Sequence, residues 1–189
     1  MINKNFANKL KKEYQENNSE RRQIISLSNI VLHDSKRIIF ALHRGDIKIA
    51  EQQFLEIEKI IQKLEKKFGF KRVYEEGSYK AGVEEYVEAK MFYLVLTGKS
   101  INKVQEIKLT FESYLGGICD TTGELVRFAV NEAARGNTEE VKKIKKIISD
   151  ILSVLVEFDM TGYLRTKYDQ ARGNLRKIEQ VNYEVSLRK

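Results

Sequence analysis

The sequence predicts an all-α protein, a bundle of about seven helices that forms one domain over residues 1–189. Two observations support this fold class. The chain contains no proline, which is the residue that most often interrupts a helix. Apolar residues recur every three or four positions along several long segments, and no segment of useful length shows the two-residue alternation of a half-buried strand.

The first predicted helix runs from about Ser19 to Arg44 and ends at the turn Gly45-Asp46. At 100° per residue, its apolar side chains fall on one broad face, and they are Ile24, Leu27, Val31, Ile38 and Leu42. The opposite face carries polar and positively charged side chains, which we call the basic stripe: Arg22, Asn29, His33, Lys36, Arg37 and Arg44.

The second helix is predicted from a cap at Asp46 through Phe68, with Gly69 as its C-terminal stop. The third runs from near Tyr79 to Thr97, and its second half, MFYLVL, is apolar on every side. Such a segment belongs in the middle of a bundle. Four more helices are predicted to begin near Ser100, Ser113, Thr138 and Thr161, the first of them from the apolar residues Val104, Ile107, Leu109 and Phe111.

The composition indicates a cytoplasmic protein without a membrane partner. The single cysteine, Cys119, excludes an internal disulfide and a cysteine-based zinc site, which fits a reducing compartment. The N-terminal segment MINKNFANKLKKEY is polar and has no apolar signal region. The longest apolar run, Met91–Leu96, is far shorter than the ~20 residues that span a bilayer.

Positive charge is in excess, with 34 lysines and arginines against 27 acidic residues and a net charge of +7. Such an excess favours polyanionic partners. Cationic side chains along one helical face can follow a phosphate backbone, so the predicted nucleic-acid-binding residues are Arg21, Arg22, Lys36, Arg37 and Arg44. Tyr14 and His33 are candidates to stack on unpaired bases. The alternative is an ordinary solvent-facing side of a helix.

Two pairs of acidic residues are candidates for chemistry. Glu85 and Glu88 are three positions apart and project to one side of the third helix, in line with a buried apolar stripe. Carboxylates there are costly unless something positive neutralises them. Asp120 and Glu124 are four positions apart and point away from the apolar face of their helix, so that with Arg127 they could also form a solvated face.

If both pairs converge, four carboxylates form an all-oxygen site suited to Mg²⁺ or Mn²⁺. Such a site would support hydrolysis of phosphodiesters. Other catalytic groups are scarce. His33 and His43 lie ten residues apart on the first helix and face different directions, which disfavours a ribonuclease based on a histidine pair, and Cys119 has no obvious base beside it.

Several segments resemble the translin family, particularly its branch named translin-associated factor X. They are the first long helix RRQIISLSNIVLHDSKRIIFALHR (21–44), the acidic motifs EEYVEAKMFY (84–93) and SYLGGICDTTGELVRFAVN (113–131), and the closing helix LRTKYDQARGNLRKIEQVNYEVSLR (164–188). These segments occur in the expected order and span most of the chain. The chain lacks the long N-terminal extension and central insertions of the eukaryotic factor X proteins, so it resembles a compact archaeal member that assembles from one kind of subunit.

The resemblance implies a bundle of seven helices whose subunits assemble into a hollow octamer around RNA. It also implies Mg²⁺-dependent cleavage of single-stranded RNA, with Glu85, Glu88, Asp120 and Glu124 as catalytic and metal-binding residues. Translin itself, the mainly nucleic-acid-binding branch, lacks the aspartate of the second motif. This chain has Asp120 at that position, which favours the catalytic branch.

Three hypotheses remain from the sequence. The leading one is a homo-oligomeric, metal-dependent endoribonuclease for single-stranded RNA that uses Mg²⁺ or Mn²⁺, with eight subunits implied by the resemblance. The second is a protein that binds single-stranded RNA or DNA without cutting it. The third is an oligomeric helical scaffold whose acidic and basic faces make subunit contacts.

Overall fold

The computed structural model describes residues 2–187, so Met1, Arg188 and Lys189 of the predicted domain lie outside the described residues. Within them the chain forms seven helices and no strand, which confirms the all-α prediction. The helices are α1 (Lys4–His43), α2 (Ile47–Phe68), α3 (Phe70–Val73), α4 (Gly77–Leu96), α5 (Phe111–Ala134), α6 (Thr138–Leu155) and α7 (Gly162–Ser186). None of these helices is long and apolar enough to cross a bilayer.

Helix α4 is the centre of the bundle, as its apolar second half predicts. It packs against α1 on one side and α5 on the other, and α5 in turn contacts α6 and α7. Tyr79, Tyr86 and Phe92 of α4 are among the largest fully buried side chains of the protein. Residues of α4 are therefore positioned to meet both the α1 face and the α5 face.

Helix α1 begins at Lys4 rather than near Ser19. Asn3 caps it, because its side-chain oxygen accepts hydrogen bonds from the backbone N–H groups of Asn5 and Phe6. The first buried residue of α1 is Ile24, so the preceding turns have no buried face that hydrophobic periodicity could detect. They extend an existing helix, which is much less costly than nucleating a new one.

The helix predicted from Ser100 is wrong, because no residue between Leu96 and Phe111 is helical. The N–H of Val104 donates to the hydroxyl of Tyr114 over 2.9 Å, and the N–H of Thr110 donates to the hydroxyl of Tyr74 over 3.3 Å. Neighbouring tyrosines thus replace the helical ladder as partners for this backbone. Two buried side chains, Val104 and Ile107, anchor the segment, and their spacing imitates one face of a helix.

The other predicted helices are present with shifted ends. Asp46 precedes α2, but its carboxylate makes no cap hydrogen bond and instead accepts one from Nε of Arg44 at 3.0 Å. Helix α6 begins at Thr138, as predicted, and ends at Leu155. The short helix α3, a single turn, is not predicted by the sequence, and it brings the number of helices among the described residues to seven.

Candidate carboxylate site

An open cavity of about 470 Å³ lies between α4, α5 and α7. Its lining, which we call the carboxylate cavity, consists of Glu88 from α4, a run of α5 residues, and a face of α7: Cys119, Asp120, Gly123, Glu124, Gln170, Gly173, Asn174 and Lys177. The α7 residues recur at intervals of three and four, so they share one side of that helix.

Two glycines at the start of α5 bring the acidic helices together. A Cβ atom added to Gly117 would lie 2.7 Å from Cβ of Val87, and one added to Gly116 would meet the side chain of Glu84. The helices therefore approach more closely than other side chains permit. Asp120 follows about one turn later on α5, and Glu88 one turn after Glu84 on α4, so that carboxylates from both helices meet at the same cavity.

Three of the four predicted catalytic carboxylates line this cavity, and the fourth stands beside it. Glu88, Asp120 and Glu124 belong to the lining. Glu85 is outside it, with its Oε2 atom 4.0 Å from Nζ of Lys36 on α1. The side chains of Asp120 and Glu124 are 23% and 22% exposed, so they lie against other helices rather than on the solvated face that the spacing also allowed.

The electrostatics of the cluster are those of crowded negative charges. Burial, and then the charges of Glu85, Asp120 and Glu124, raise the pKa of Glu88 to about 9. Burial also raises the pKa of Glu85, with Lys36 opposing it, and raises that of Asp120, with Lys167 opposing it. A cation entering the cavity would relieve this repulsion.

Lys167 on α7 is a partner that the sequence analysis missed. Its ammonium lies 2.9 Å from Oε1 of Glu84 and also contacts Oδ2 of Asp120, while the hydroxyl of Tyr163 donates to Glu84. Burial lowers the pKa of Lys167, but its hydrogen bonds to Asp120 and Glu84 outweigh burial and raise the pKa above its ordinary value. Lys167 therefore stays charged and neutralises part of the cluster.

His43 is the second missed residue, because the sequence analysis considered it only as a partner for His33. Its Nε2 atom lies 2.5 Å from Oε2 of Glu124, its side chain is 7% exposed, and its ring packs against Phe92. His33, in contrast, is exposed. His43 thus orients one carboxylate of the cavity, a role that the separation of the two residues in the sequence conceals.

The donor set suits a hard divalent cation, although the side chains do not form a cage as they stand. Within residues 2–187, no three Asp, Glu, His or Cys side chains are placed to hold one ion together. Asp120 is turned to Lys167 and Glu124 to His43. The carboxyl of Glu88 has no hydrogen-bond or ion-pair partner among the described residues. Carboxylate oxygens, one of them unpartnered, in an open cavity are the ligand chemistry that Mg²⁺ prefers.

Cys119 cannot serve as a soft ligand or nucleophile in this arrangement. Its side chain is buried, and burial together with the charge of Asp120 raises the pKa of its thiol to about 12. The thiolate, which is the reactive form, is therefore scarce at neutral pH.

The basic stripe lies on the exposed side of α1, where most of its charges have a partner on the same helix or its adjoining turn. Arg37 is 71% exposed and lies 2.7 Å from Asp34, and Arg44 is 62% exposed and lies 3.0 Å from Asp46. Such exposed pairs are weak, so both guanidinium groups remain available to a phosphate.

The remaining predicted nucleic-acid-binding residues take different positions. Arg22 lies on the stripe and donates from Nε to the backbone oxygen of Asn18 over 3.3 Å. Arg21 lies off the stripe, because its Nε is 3.3 Å from the carboxylate of Glu76. Lys36 is the member that connects the stripe to the acidic cluster, through Glu85.

Comparisons with known proteins identify the same family that the sequence motifs resemble. The model of the Translin family matches residues 19–189. An uncharacterized protein of Methanocaldococcus jannaschii is 30% identical over 164 residues, which cover 84% of this chain and 73% of that protein. The translin-associated protein X homolog of Schizosaccharomyces pombe is 25% identical over 197 residues, which cover 92% of this chain and 84% of the homolog.

The fold has close counterparts among solved structures. The crystal structure of apo-NeC3PO superposes with a TM-score of 0.85 and 26% identity, over 98% of this chain and 99% of that chain. The crystal structure of AfC3PO has a TM-score of 0.87 at 21% identity, which supports the fold alone. The family match begins at Ser19 and includes α4, α5 and α7, which build the carboxylate cavity. The chain belongs to the translin family.

Proposed function

We propose that this chain is a metal-dependent endoribonuclease that binds and cleaves single-stranded RNA. The observation that carries the proposal is the convergence of Glu88, Asp120 and Glu124 on one open cavity, with Glu85 beside it. Clustered carboxylates that raise one another's pKa are typical of functional sites. If the cluster served only structural ion pairs, the carboxyl of Glu88 should have a cationic partner, whereas it faces the cavity without one.

One structural neighbour supports RNA as the ligand class. AfC3PO has been solved as a complex with duplex RNA, and that structure superposes with a TM-score of 0.85 over 97% of each chain at 20% identity. The net charge of +7 agrees with a polyanionic partner.

The residues that would hold the ion are Glu88, Asp120 and Glu124, with Glu85 adjacent. A bound Mg²⁺ or Mn²⁺ supplies an activated water and stabilises negative charge on a leaving oxygen. Lys177, on the opposite wall of the cavity, has no ion-pair partner among the described residues and is placed to attract a phosphate of the substrate. Lys167 and His43 orient Asp120 and Glu124 before the substrate arrives.

We further propose that subunits assemble into a closed homo-oligomer, an octamer by family resemblance, that encloses the strand. Large apolar side chains on the first turns of α1 are exposed at intervals of four residues: Phe6 at 55%, Leu10 at 45% and Tyr14 at 71%. An apolar stripe of this kind marks a surface for association. Light scattering that found a stable monomer at micromolar concentration would contradict the assembly.

The second candidate function, binding of single-stranded RNA or DNA without cleavage, is favoured by one observation. Asp120 already pairs with Lys167 and Glu124 with Arg127, so the cluster is partly neutralised without an ion. The distinguishing experiment follows the cleavage of a 5′-labelled single-stranded RNA with Mg²⁺, with Mn²⁺ and with EDTA. Cleavage that needs the ion supports the nuclease, and binding without cleavage in all three conditions supports the alternative.

A further inference from the structure

Phe40 is an exposed aromatic residue in the middle of a charged surface. Its side chain is 51% exposed, and on α1 it falls one turn after Lys36 and one turn before Arg44, within the basic stripe. A phenyl ring in such a place forgoes the free energy that burying its open side would supply. The sequence alone indicates no role for this ring.

One face of the ring is already covered by a cation. The guanidinium carbon of Arg127, on α5, lies 5.0 Å from the ring centroid of Phe40, within the range of a cation–π contact. The same guanidinium is 3.5 Å from Oε2 of Glu124. Arg127 therefore covers one face of the Phe40 ring and connects it to Glu124 of the carboxylate cavity.

Two neighbours on α1 tie this position to the acidic cluster as well. Lys36 approaches Glu85, and His43 binds Glu124. Phe40 lies one turn after Lys36 and three positions before His43 on α1. Arg127 connects its ring to Glu124, so the ring stands near the carboxylate cavity. Cations suited to phosphates flank it on the same face of α1.

We propose that Phe40, backed by Arg127, is a stacking platform for an unpaired nucleobase of the RNA strand that enters the carboxylate cavity. The inference rests on the proposed function and adds the element that recognises a base. Each base has a π-face, so the platform accepts any base. In a duplex the bases remain stacked on one another, so the platform favours single-stranded RNA over duplex RNA.

The test measures binding of the full-length protein in EDTA, by fluorescence anisotropy, to two labelled RNA strands of equal length. One strand is oligoadenylate, and the other carries abasic riboses in its central positions. Phe40→Ala should weaken binding of oligoadenylate roughly tenfold and leave binding of the abasic strand nearly unchanged. Phe40→Tyr should retain the affinity of the wild type, and Phe40→Leu, which keeps apolar area without a π-face, should resemble Phe40→Ala.

Phe111→Ala is the matched control, because Phe111 is also exposed, at 67%, and lies at the other end of α5 from Arg127. It should leave both affinities unchanged. Equal losses of affinity for both strands with Phe40→Ala would overturn the platform, as would a change in subunit number, which would assign Phe40 to a subunit contact. If the Phe40 variants bind like the wild type while the wild type still cleaves RNA, the platform fails and the nuclease stands. A wild type that binds neither strand would overturn both.

Discussion

The carboxylate cavity and the basic stripe carry opposite charges in opposite environments. In the cavity, the acids of α4 and α5 are mostly buried, and the charges of Glu85, Asp120 and Glu124 help to raise the pKa of Glu88, which has no ion-pair partner among the described residues. On the stripe, Arg37 and Arg44 are 71% and 62% exposed, and each pairs with a nearby aspartate. Charges interact strongly where water is excluded and weakly where it screens them. A single substitution should therefore have a large effect in the cavity and a small one on the stripe.

The largest expected effect is on catalysis by Asp120→Asn. The change keeps the shape of the side chain and removes one charge from the proposed ion site, so cleavage should fall by roughly a hundredfold or more. RNA binding should persist or tighten, because a charge that repels phosphate is gone. Asp150→Asn on the exposed side of α6 is the control. Normal cleavage by Asp120→Asn in Mg²⁺ would show that these carboxylates are not the nuclease site.

The next effect is on stability, through Lys167→Met. Removing this cation leaves Glu84 and Asp120 without their positive counter-charge, so the free energy of unfolding in EDTA should fall by roughly 1–3 kcal/mol. Added Mg²⁺ should raise the Tm of the variant more than that of the wild type, because the ion replaces the lost charge. The same change at Lys146, which is 78% exposed, serves as the control. If Mg²⁺ raised the Tm of the Lys167→Met variant and of the wild type equally, Lys167 would not belong to the ion site.

A smaller effect depends on pH and concerns Glu88→Gln. The folded protein raises the pKa of Glu88 from 4.5 to about 9, so the folded state holds a proton that the unfolded state releases. Stability from this group is complete below about pH 4.5 and is lost as pH rises toward 9. Glu88→Gln cannot ionise, so in EDTA its stability relative to the wild type should increase as the pH rises from 5 to 9.

Urea denaturation at several pH values measures this difference, with the exposed Glu157→Gln as a control. A stability difference between Glu88→Gln and the wild type that does not change between pH 5 and pH 9 would mean that Glu88 is ionised throughout. The charge crowding in the cavity would then be weaker than the geometry indicates.

The smallest effect is expected on the stripe. The double change Arg37→Ala with Arg44→Ala should weaken RNA binding several-fold and reduce the salt dependence of log Kd by about one unit for each lost phosphate contact. Competition from Asp34 and Asp46 keeps the effect modest. Lys146→Ala provides a basic residue outside the stripe for comparison. If the affinity and the salt dependence of log Kd were unchanged, these two arginines would serve solubility and would not contact the RNA.

Local patterns in the sequence were sufficient for much of the fold. The periodicity of α1, α2 and α4 predicts their faces, and the continuous apolar run in α4 predicts its central position. The segment before Phe111 was mispredicted, because Val104 and Ile107 have helical spacing while their backbone bonds go to the tyrosines of other elements. The first turns of α1 were missed, because an exposed helix leaves no apolar periodicity.

For the candidate site, the sequence by itself determined which residues carry charge and which acids share a helix face. Spacing and family resemblance made Glu85, Glu88, Asp120 and Glu124 candidates, and the periodicity separated the basic stripe from the apolar face of α1. Only the tertiary structure decided their partners, because those contacts join distant parts of the chain: His43 meets Glu124 across 81 positions, and Lys167 meets Asp120 across 47. Helical periodicity relates neighbours within a few turns, whereas close packing of α4 against α5 at Gly116 and Gly117 determines which distant side chains meet.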